Sequence, residues 1–304
     1  MSTMFDRALV DATLADVVGR RSEIELVVAA LGSGRHMLLE GPPGTGKSTL
    51  LRSLADKAGT SMVFVEGNAE LTPARLAGHF DPARVMAEGY SPDIFVPGPL
   101  VDAMQNGSLL YVEEINRVPE ETLNLLITVM SEGEITVPRF GRVACEPAFR
   151  FVAAMNPFDA VGTARISGAV YDRVCRVAMG YQSQGEESEI VDRDTDACDA
   201  TLADRAVRVV RSTREHGDIR VGSSVRGAID LVLLANQLAK LRACHLSNEG
   251  VGLDAARAAL SGRIRVHESS QRSPEAIIEE LWAASAPTDD DGSGSGDAGD
   301  SGKA

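Results

Sequence analysis

The chain has 304 residues, enough to bury a large core, and we expect one large domain joined to a smaller one. A formal net charge of -14 and an aromatic content of 4% argue against nucleic-acid binding, which needs a basic face or a platform of stacking rings. No apolar run reaches the length of a membrane span and no signal peptide is evident, so we expect a cytoplasmic protein.

The cysteines and histidines are scattered along the chain and show no metal-ligand spacing, so we expect no metal site of the Cys/His type. We expect the cysteines to be small hydrophobic residues in a reducing compartment. They are Cys145, Cys175, Cys198 and Cys244.

Strands and helices are predicted to alternate after a weakly amphipathic N-terminal segment, residues 1–16, that suggests a frayed helix. Short apolar runs predict strands over residues 37–39, 61–66, 108–114, 149–155 and 174–179, the second of them buried. Helices are predicted over residues 23–31, 72–77, 98–105 and 119–132. This alternation predicts a doubly wound α/β domain with a parallel sheet, whose ligands bind at the carboxyl ends of the strands.

Two segments interrupt the alternation. A stretch rich in Pro, Gly and charge before residue 98 predicts an insertion with an apolar tip at Tyr90 and Phe95. Residues 134–137 and 142–145 alternate in polarity, which predicts a hairpin.

The composition changes after residue 185. Residues 186–199 are strongly acidic, and apolar periodicity then predicts a helical lid with helices over 202–216, 223–243, 254–261 and 274–285. The Gly/Ser/Asp-rich residues 286–304 are expected to be disordered. The predicted domains are therefore an N-terminal segment (1–16), a nucleotide-binding core (17–185), a helical lid (186–285) and an acidic tail (286–304).

The strongest motif is GPPGTGKST, which lies between the strand at 37–39 and a helix. Its glycines permit a tight turn whose amide groups and helix N-terminus surround a phosphate. Lys47 is predicted to reach the β- and γ-phosphates, and the Ser48 hydroxyl to bind Mg²⁺. The predicted nucleotide-binding residues are Gly41, Pro42, Pro43, Gly44, Thr45, Gly46, Lys47, Ser48 and Thr49.

Polar residues follow two further strands. Glu113 and Glu114 end the strand at 108–114, which predicts one carboxylate directed at Mg²⁺ and one that polarises the attacking water. Asn156 ends the strand at 149–155, where an amide can orient that water, although an Asn-Pro turn can also simply end a strand.

Arginines supply the remaining candidates. Arg173, in the sequence YDRV, lies just before the last strand and is predicted to stabilise the γ-phosphate of a neighbouring subunit. Arg165 and Arg176 lie at the same rim, and a surface ion pair is the alternative for all three. Arg226, at the start of a lid helix, is placed to couple the lid to the nucleotide.

These motifs together resemble the MoxR family of AAA+ ATPases, which is close to the ATPase subunit of magnesium chelatase. The resemblance is carried by GPPGTGKST, by GPL followed by EEINR, by the hairpin after SEGEIT, and by AAMNP and YDRV. It is dense from Val17 to about Tyr181 and loose over the lid.

The resemblance implies a P-loop NTPase core of the AAA+ type with a small helical lid. It also implies a Walker A loop at Gly41–Ser48, Walker B carboxylates at Glu113 and Glu114, sensor 1 at Asn156, an arginine finger at Arg173 and sensor 2 at Arg226. Such proteins hydrolyse ATP with Mg²⁺ as usually hexameric, chaperone-like rings. They commonly act with a partner that carries a von Willebrand factor A domain.

One residue departs from the family pattern, because Glu113 stands where the family usually has aspartate. The added methylene moves the carboxylate by about 1.5 Å, whereas Mg²⁺ demands close to ideal geometry. A water between the carboxylate and the metal would absorb the difference, so we retain hydrolysis as the expected activity.

Three functions follow. The favoured one is an ATP-driven motor that remodels a partner protein or assists cofactor or metal insertion. The alternatives are a dedicated metal-chelatase subunit and a nucleotide-dependent scaffold that barely turns over. Transcription-activating and DNA-unwinding roles are disfavoured by the acidic charge and by the lack of a GAFTGA-type loop.

Overall fold

A computed structural model describes residues 5–157, 166–195 and 199–286 of the chain, which divides into two units, Met1–Gln182 and Ser183–Ala304. None of the helices within these ranges is long and apolar enough to cross a membrane.

The first unit is built on a five-stranded parallel sheet. The strands of this unit are β1 (His36–Glu40), β2 (Met62–Glu66), β3 (Gly78–Phe80), β4 (Phe95–Pro97), β5 (Leu109–Glu113), β6 (Glu134–Val137), β7 (Gly141–Ala144), β8 (Arg150–Met155) and β9 (Val174–Ala178). Its helices are α1 (Arg7–Asp16), α2 (Arg21–Gly32), α3 (Lys47–Lys57), α4 (Pro73–Ala77), α5 (Pro82–Glu88), α6 (Pro99–Asn106), α7 (Glu120–Glu132) and α8 (Gly168–Tyr171). The strand order is β2-β5-β8-β1-β9, and every pair in it is parallel.

Alternating side chains give this sheet two apolar faces. One face packs against α4, α6 and α7 and includes Leu38, Leu110, Val112, Phe151 and Ala153. The other packs against α1, α2 and α3 and includes Met37, Leu39, Leu109, Tyr111, Val152 and Ala154. Helices therefore cover both faces, and the predicted doubly wound sheet is confirmed.

Two predictions about the first unit were wrong. The strand at 61–66 was expected to be buried, but β2 lies at the edge of the sheet and the side chain of Phe64 is 42% exposed. The N-terminal segment is not frayed between Arg7 and Asp16. Asp6 caps α1 by accepting a 3.0 Å hydrogen bond from the Leu9 amide, and Leu9 and Val10 are buried in the core.

The predicted insertion is a small antiparallel pair, β3 and β4, that encloses α5. Phe95 does not lie at its tip, because the ring is buried and stacks on Phe140 with 4.2 Å between centroids. Phe140 belongs to the turn of the β6–β7 hairpin, which forms where it was predicted. The exposed large apolar residues of the insertion are Met86, Tyr90 and Val96. The Arg139 guanidinium of the hairpin lies 3.9 Å above the Tyr90 ring.

The second unit is helical, as predicted, but contains elements that the sequence did not indicate. Its elements are α9 (Gln184–Asp194), α10 (Ala200–Glu215), β10 (Ile219–Val221), α11 (Val225–Leu241), α12 (Glu249–Leu260), β11 (Arg265–Val266) and α13 (Pro274–Ala284). The acidic segment forms α9 because Ser183 and Glu186 make a capping box, and the buried Glu187 carboxylate accepts from Arg211 and Arg214. β10 and β11 form a short antiparallel pair.

The cysteines were expected to be buried, and this was wrong for Cys175, which is exposed on β9. Cys145 and Cys244 are partly buried. Cys198 and residues 287–304 of the predicted tail lie outside the described residues.

The second unit offers a test of its packing at Gly252, on α12. A Cβ atom there would lie 2.2 Å from the buried ring of Trp282 on α13. We expect Gly252→Ala to lower the stability of this unit by about 1–3 kcal/mol, the usual cost of overpacking. Trp282 is the single tryptophan of the chain, so its fluorescence during urea unfolding reports on this unit.

Gly262→Ala is the matched control, since a Cβ there would meet no atom within 4 Å. An unfolding midpoint for Gly252→Ala equal to that of the control would contradict the packing described.

Candidate nucleotide site

The phosphate-loop motif lies between β1 and the N-terminus of α3, as the sequence predicts. Gly44 and Gly46 have φ values of 73° and 83°, which other residues rarely adopt. No side chain caps α3, so its first amide groups are directed towards the loop without a side-chain acceptor. The Lys47 ammonium donates to the carbonyl oxygens of Gly41 and Pro42 at 2.9 Å each, which folds the side chain over the loop.

The loop begins at a crowded junction. The Gly41 amide donates to the Met155 carbonyl oxygen, at the end of β8, at 3.1 Å. A Cβ atom at Gly41 would lie 2.1 Å from the Met179 carbonyl oxygen, just beyond β9. Only glycine fits here, and it joins the ends of three neighbouring strands, β8, β1 and β9.

Glu113, at the end of β5, faces the loop. The Ser48 hydroxyl donates to the Glu113 carboxylate at 2.7 Å and lies 3.1 Å from the Tyr111 hydroxyl. Tyr111 is fully buried, and burial raises the pKa of its hydroxyl well above the ordinary value. Three oxygen atoms from α3 and β5 therefore meet at one point.

Glu114 is directed differently from its neighbour. It was predicted as the last residue of the strand, but β5 ends at Glu113 and Glu114 has a left-handed backbone, with φ 54° and ψ 44°. A Cβ atom on Gly67 would lie 2.5 Å from the Glu114 carbonyl oxygen, so β2 and the turn approach closely. The Glu114 carboxylate is partly exposed and lies 3.3 Å from Arg117.

Asn156 directly follows β8, which lies between β5 and β1 in the sheet. It is therefore next to Met155, whose carbonyl accepts from Gly41 of the phosphate loop. The sheet order brings Asn156, the loop and the two glutamates to the same edge.

The rim arginines have distinct partners. Arg173 lies between α8 and β9; its Nε donates to Ser131 on α7 at 2.5 Å and its Nη1 to the Ala169 carbonyl at 2.8 Å. Arg176 binds the buried carboxylate of Glu40 and so has a structural partner within its own chain. Arg165 lies outside the described residues. Arg226 is exposed in the first turn of α11, in the second unit.

Three contacts at the site were missed from the sequence, involving Arg20, Tyr111 and Glu40. The buried Arg20 donates to the carbonyl oxygens of Thr45, in the loop, and of Gly180, at 3.2 and 2.5 Å. Tyr111 contacts Ser48, and Glu40 binds Arg176. The sequence did offer a signal for Glu40, because it is a charged residue at the end of an apolar strand. No local pattern marked Arg20 or Tyr111.

Residues 36–174 match a protein family described as AAA domain (dynein-related subfamily). Residues 36–174 therefore form an AAA domain. An AAA domain is an ATPase domain, and its presence implies that the chain binds ATP.

Relatives and solved structures agree with this assignment. The chain is 28% identical to the uncharacterized protein YeaC of Bacillus subtilis over 74% of this chain and 76% of that protein. It is 31% identical to the gas vesicle ATPase GvpN1 of Halobacterium salinarum, over 64% of this chain and 60% of that protein.

The fold resembles that of the RuvB Holliday junction branch migration motor of Thermotoga maritima, with a TM-score of 0.55, 16% identity and coverage of 82% of this chain and 72% of that chain. A structure from Cytophaga hutchinsonii covers 91% of this chain and 93% of its own, with a TM-score of 0.51 and 20% identity. These likenesses confirm an AAA+ fold with a C-terminal helical region.

The residues of the loop fit ATP. The uncapped N-terminus of α3 and the Lys47 ammonium both favour the negative charge of phosphates. Oxygen ligands suit Mg²⁺, and Ser48 and Glu113 supply them 2.7 Å apart. Within the described ranges, no three His, Cys, Asp or Glu residues could hold a metal together.

The loop lysine gives a direct test of ATP binding. Lys47→Ala removes the ammonium and should raise the Kd for a fluorescent ATP analogue at least about 100-fold, since each charge-assisted hydrogen bond contributes roughly 1.5–3 kcal/mol. Lys57→Ala, in the last turn of the same helix and paired with Asp16 at 3.0 Å, is the matched control and should bind normally. Tight binding by Lys47→Ala would remove the loop from the nucleotide site.

Proposed function

We propose that this chain is a MoxR-type AAA+ ATPase that hydrolyses ATP with Mg²⁺ as a ring, most simply a hexamer, and uses the turnover to remodel a partner protein. The observation that carries this proposal is the different placement of the two glutamates. Glu113 contacts the phosphate-loop hydroxyl at 2.7 Å, whereas Glu114 lies in a left-handed turn and its carboxylate lies 3.3 Å from Arg117. A protein that only binds nucleotide has no need of the second carboxylate.

The two carboxylates take separate tasks in this proposal. Ser48 and Glu113 would hold Mg²⁺, which would supply positive charge to neutralise the phosphate oxygens. Glu114 accepts a proton from the attacking water, which the Asn156 amide orients. Glu114 is partly exposed, so a water molecule can reach its carboxylate.

The arginine finger is supplied by the neighbouring subunit. Arg173 lies beside the edge strand β9 rather than beside its own phosphate loop, and its side chain is about one-third exposed. In its own subunit the Arg173 guanidinium donates to Ser131 and to the Ala169 carbonyl. When a second subunit docks, the guanidinium can leave these partners and bind the γ-phosphate held by that subunit. Head-to-tail interfaces of this kind close into rings. Arg226 acts as sensor 2 from the lid.

The insertion and the hairpin form a surface for the partner protein. The Phe95–Phe140 stack and the Tyr90–Arg139 contact join them, which supports movement as one piece. Met86 is 90% exposed and Tyr90 55% exposed, so this surface presents apolar side chains to another polypeptide. A partner with a von Willebrand factor A domain, and a client that receives a metal or cofactor, are the classes that the family resemblance favours.

Exchange of Glu113 tests whether the longer carboxylate limits turnover. Glu113→Asp shortens the side chain by about 1.5 Å and leaves room for a water between carboxylate and metal. We expect steady-state ATPase activity to be kept or raised. Loss of activity would mean that the direct Ser48–Glu113 contact is required, and negligible activity of the natural protein itself would favour the scaffold alternative.

Subunit mixing tests the finger and the base together. Glu114→Gln should bind ATP yet hydrolyse it at least about 100-fold more slowly, and Arg173→Ala should be similarly inactive. Mixed in equal amounts, the variants should form complete sites at about one interface in four, where an Arg173→Ala subunit receives the arginine of a Glu114→Gln neighbour. ATPase activity of the mixture should therefore rise well above the mean of the two variants.

Subunit exchange is verified by energy transfer between labelled subunits. With exchange verified, an unchanged rate would show that Arg173 does not act across the interface. Recovery with Arg165→Ala in place of Arg173→Ala, and none with Arg173→Ala, would assign the finger to Arg165.

A further inference from the structure

The buried carboxylate of Glu40 has no task in the chemistry described so far. Glu40 is the last residue of β1 and is 5% exposed. Its carboxylate accepts a 2.7 Å hydrogen bond from the Tyr171 hydroxyl and also binds Nε of Arg176. Burial and this contact raise the pKa of Tyr171 to about 12, so the phenol keeps its proton and remains a donor.

Glu40 is directed away from Ser48 and Glu113. Alternate residues of a strand face opposite sides, so Glu40 shares the face of Leu38, which packs with α7. Glu113 shares the opposite face with Leu109 and Tyr111, which packs with α3. Glu40 therefore cannot serve a metal held by Ser48 and Glu113, and its carboxylate acts on the other side of the sheet.

The two donors to Glu40 flank the proposed arginine finger. Tyr171 is the last residue of α8 and Arg176 lies within β9, with Arg173 between them. Arg173 bonds to Ser131 on α7, which lies on the same face of the sheet as Glu40. One carboxylate thus holds both ends of the segment from which Arg173 projects.

The backbone of Glu40 is fixed equally firmly. Its carbonyl accepts from the Met179 amide at 2.7 Å, and the following residue is Gly41, which has no room for a side chain against Met179. A shift of the phosphate loop that moves Gly41 must therefore move Glu40, and with it the segment from Tyr171 to Arg176.

We propose that Glu40 is a positioning residue that presents Arg173 to the neighbouring subunit and links it to the phosphate loop of its own subunit. The inference rests on the proposed function, since it assumes that Arg173 acts across the interface. It predicts that each subunit signals the state of its own loop to the next site through the half-buried ion pair of Glu40 and Arg176.

The test uses Glu40→Gln in the full chain, which keeps the size of the side chain but removes its charge. We expect ATPase activity to fall about tenfold, as for loss of one charge-assisted bond, while the Kd for a fluorescent ATP analogue stays within about threefold. Glu25→Gln is the matched control, because that carboxylate is exposed on α2 and lies 3.6 Å from Arg21.

Mixing separates a defect in the finger from a defect in the variant's own loop. If Glu40 acts through Arg173, Glu40→Gln mixed with Glu114→Gln should regain activity, because the second variant supplies a well-placed arginine to the intact loop of the first. Glu40→Gln mixed with Arg173→Ala should gain nothing. Recovery only in the mixture with Arg173→Ala would overturn the proposal, and so would recovery in neither mixture. Full activity of Glu40→Gln alone would overturn it as well.

Failure of the proposed function, in which Arg173 acts across the interface, is recognised separately. It would appear as no recovery of ATPase activity when Arg173→Ala is mixed with Glu114→Gln, a pair that leaves Glu40 unchanged.

Should Glu40→Gln not fold, Tyr171→Phe is used in its place, because it removes one hydrogen-bond donor to Glu40 and keeps the ring. Full ATPase activity of Tyr171→Phe would then overturn the proposal.

Discussion

The close packing at the carboxyl end of β1 is the constraint on which the site depends. Gly41 bonds to the end of β8 and has no space for a side chain against the end of β9. Asn156 follows the first of these strands, Arg173 directly precedes the second and Arg176 lies within it. The parallel register therefore fixes how far apart these groups lie, and the phosphate loop inherits that geometry from the sheet rather than from its own contacts.

Backbone conformation, rather than sequence spacing, separates the tasks of the two glutamates. Adjacent residues of a strand already face opposite sides, and the left-handed turn at Glu114 adds a further change of direction. A non-glycine residue in this conformation is uncommon and marks a site where the surrounding structure maintains strain. The close approach of Gly67 to this turn is the contact that maintains it.

Residues governed by local rules could be predicted from the sequence, whereas residues governed by distant partners could not. The phosphate loop, the strand ends and the hairpin follow from short motifs and alternation, and the structure places them where expected. Arg20 bonds to Thr45 and Gly180, which lie far along the chain, so no local pattern marks it. Phe95 was misplaced for the same reason, because the Phe140 ring that buries it comes from a separate hairpin. The helix α9 was missed although Ser183 and Glu186 offer a local capping-box signal; its other stabilising partners, Arg211 and Arg214, lie on α10.

Hydrogen-bond accounting at Ser48 explains how glutamate can occupy the place of aspartate. A hydroxyl has one proton and two lone pairs. A carboxylate only accepts, so the proton of Ser48 goes to Glu113 at 2.7 Å. The Tyr111 hydroxyl, which burial keeps protonated, lies 3.1 Å from Ser48 and can donate either to Ser48 or to the Glu113 carboxylate. In both cases at least one lone pair of Ser48 is left for a cation. The longer side chain of Glu113 thus orients the hydroxyl directly, as the proposed Mg²⁺ site requires.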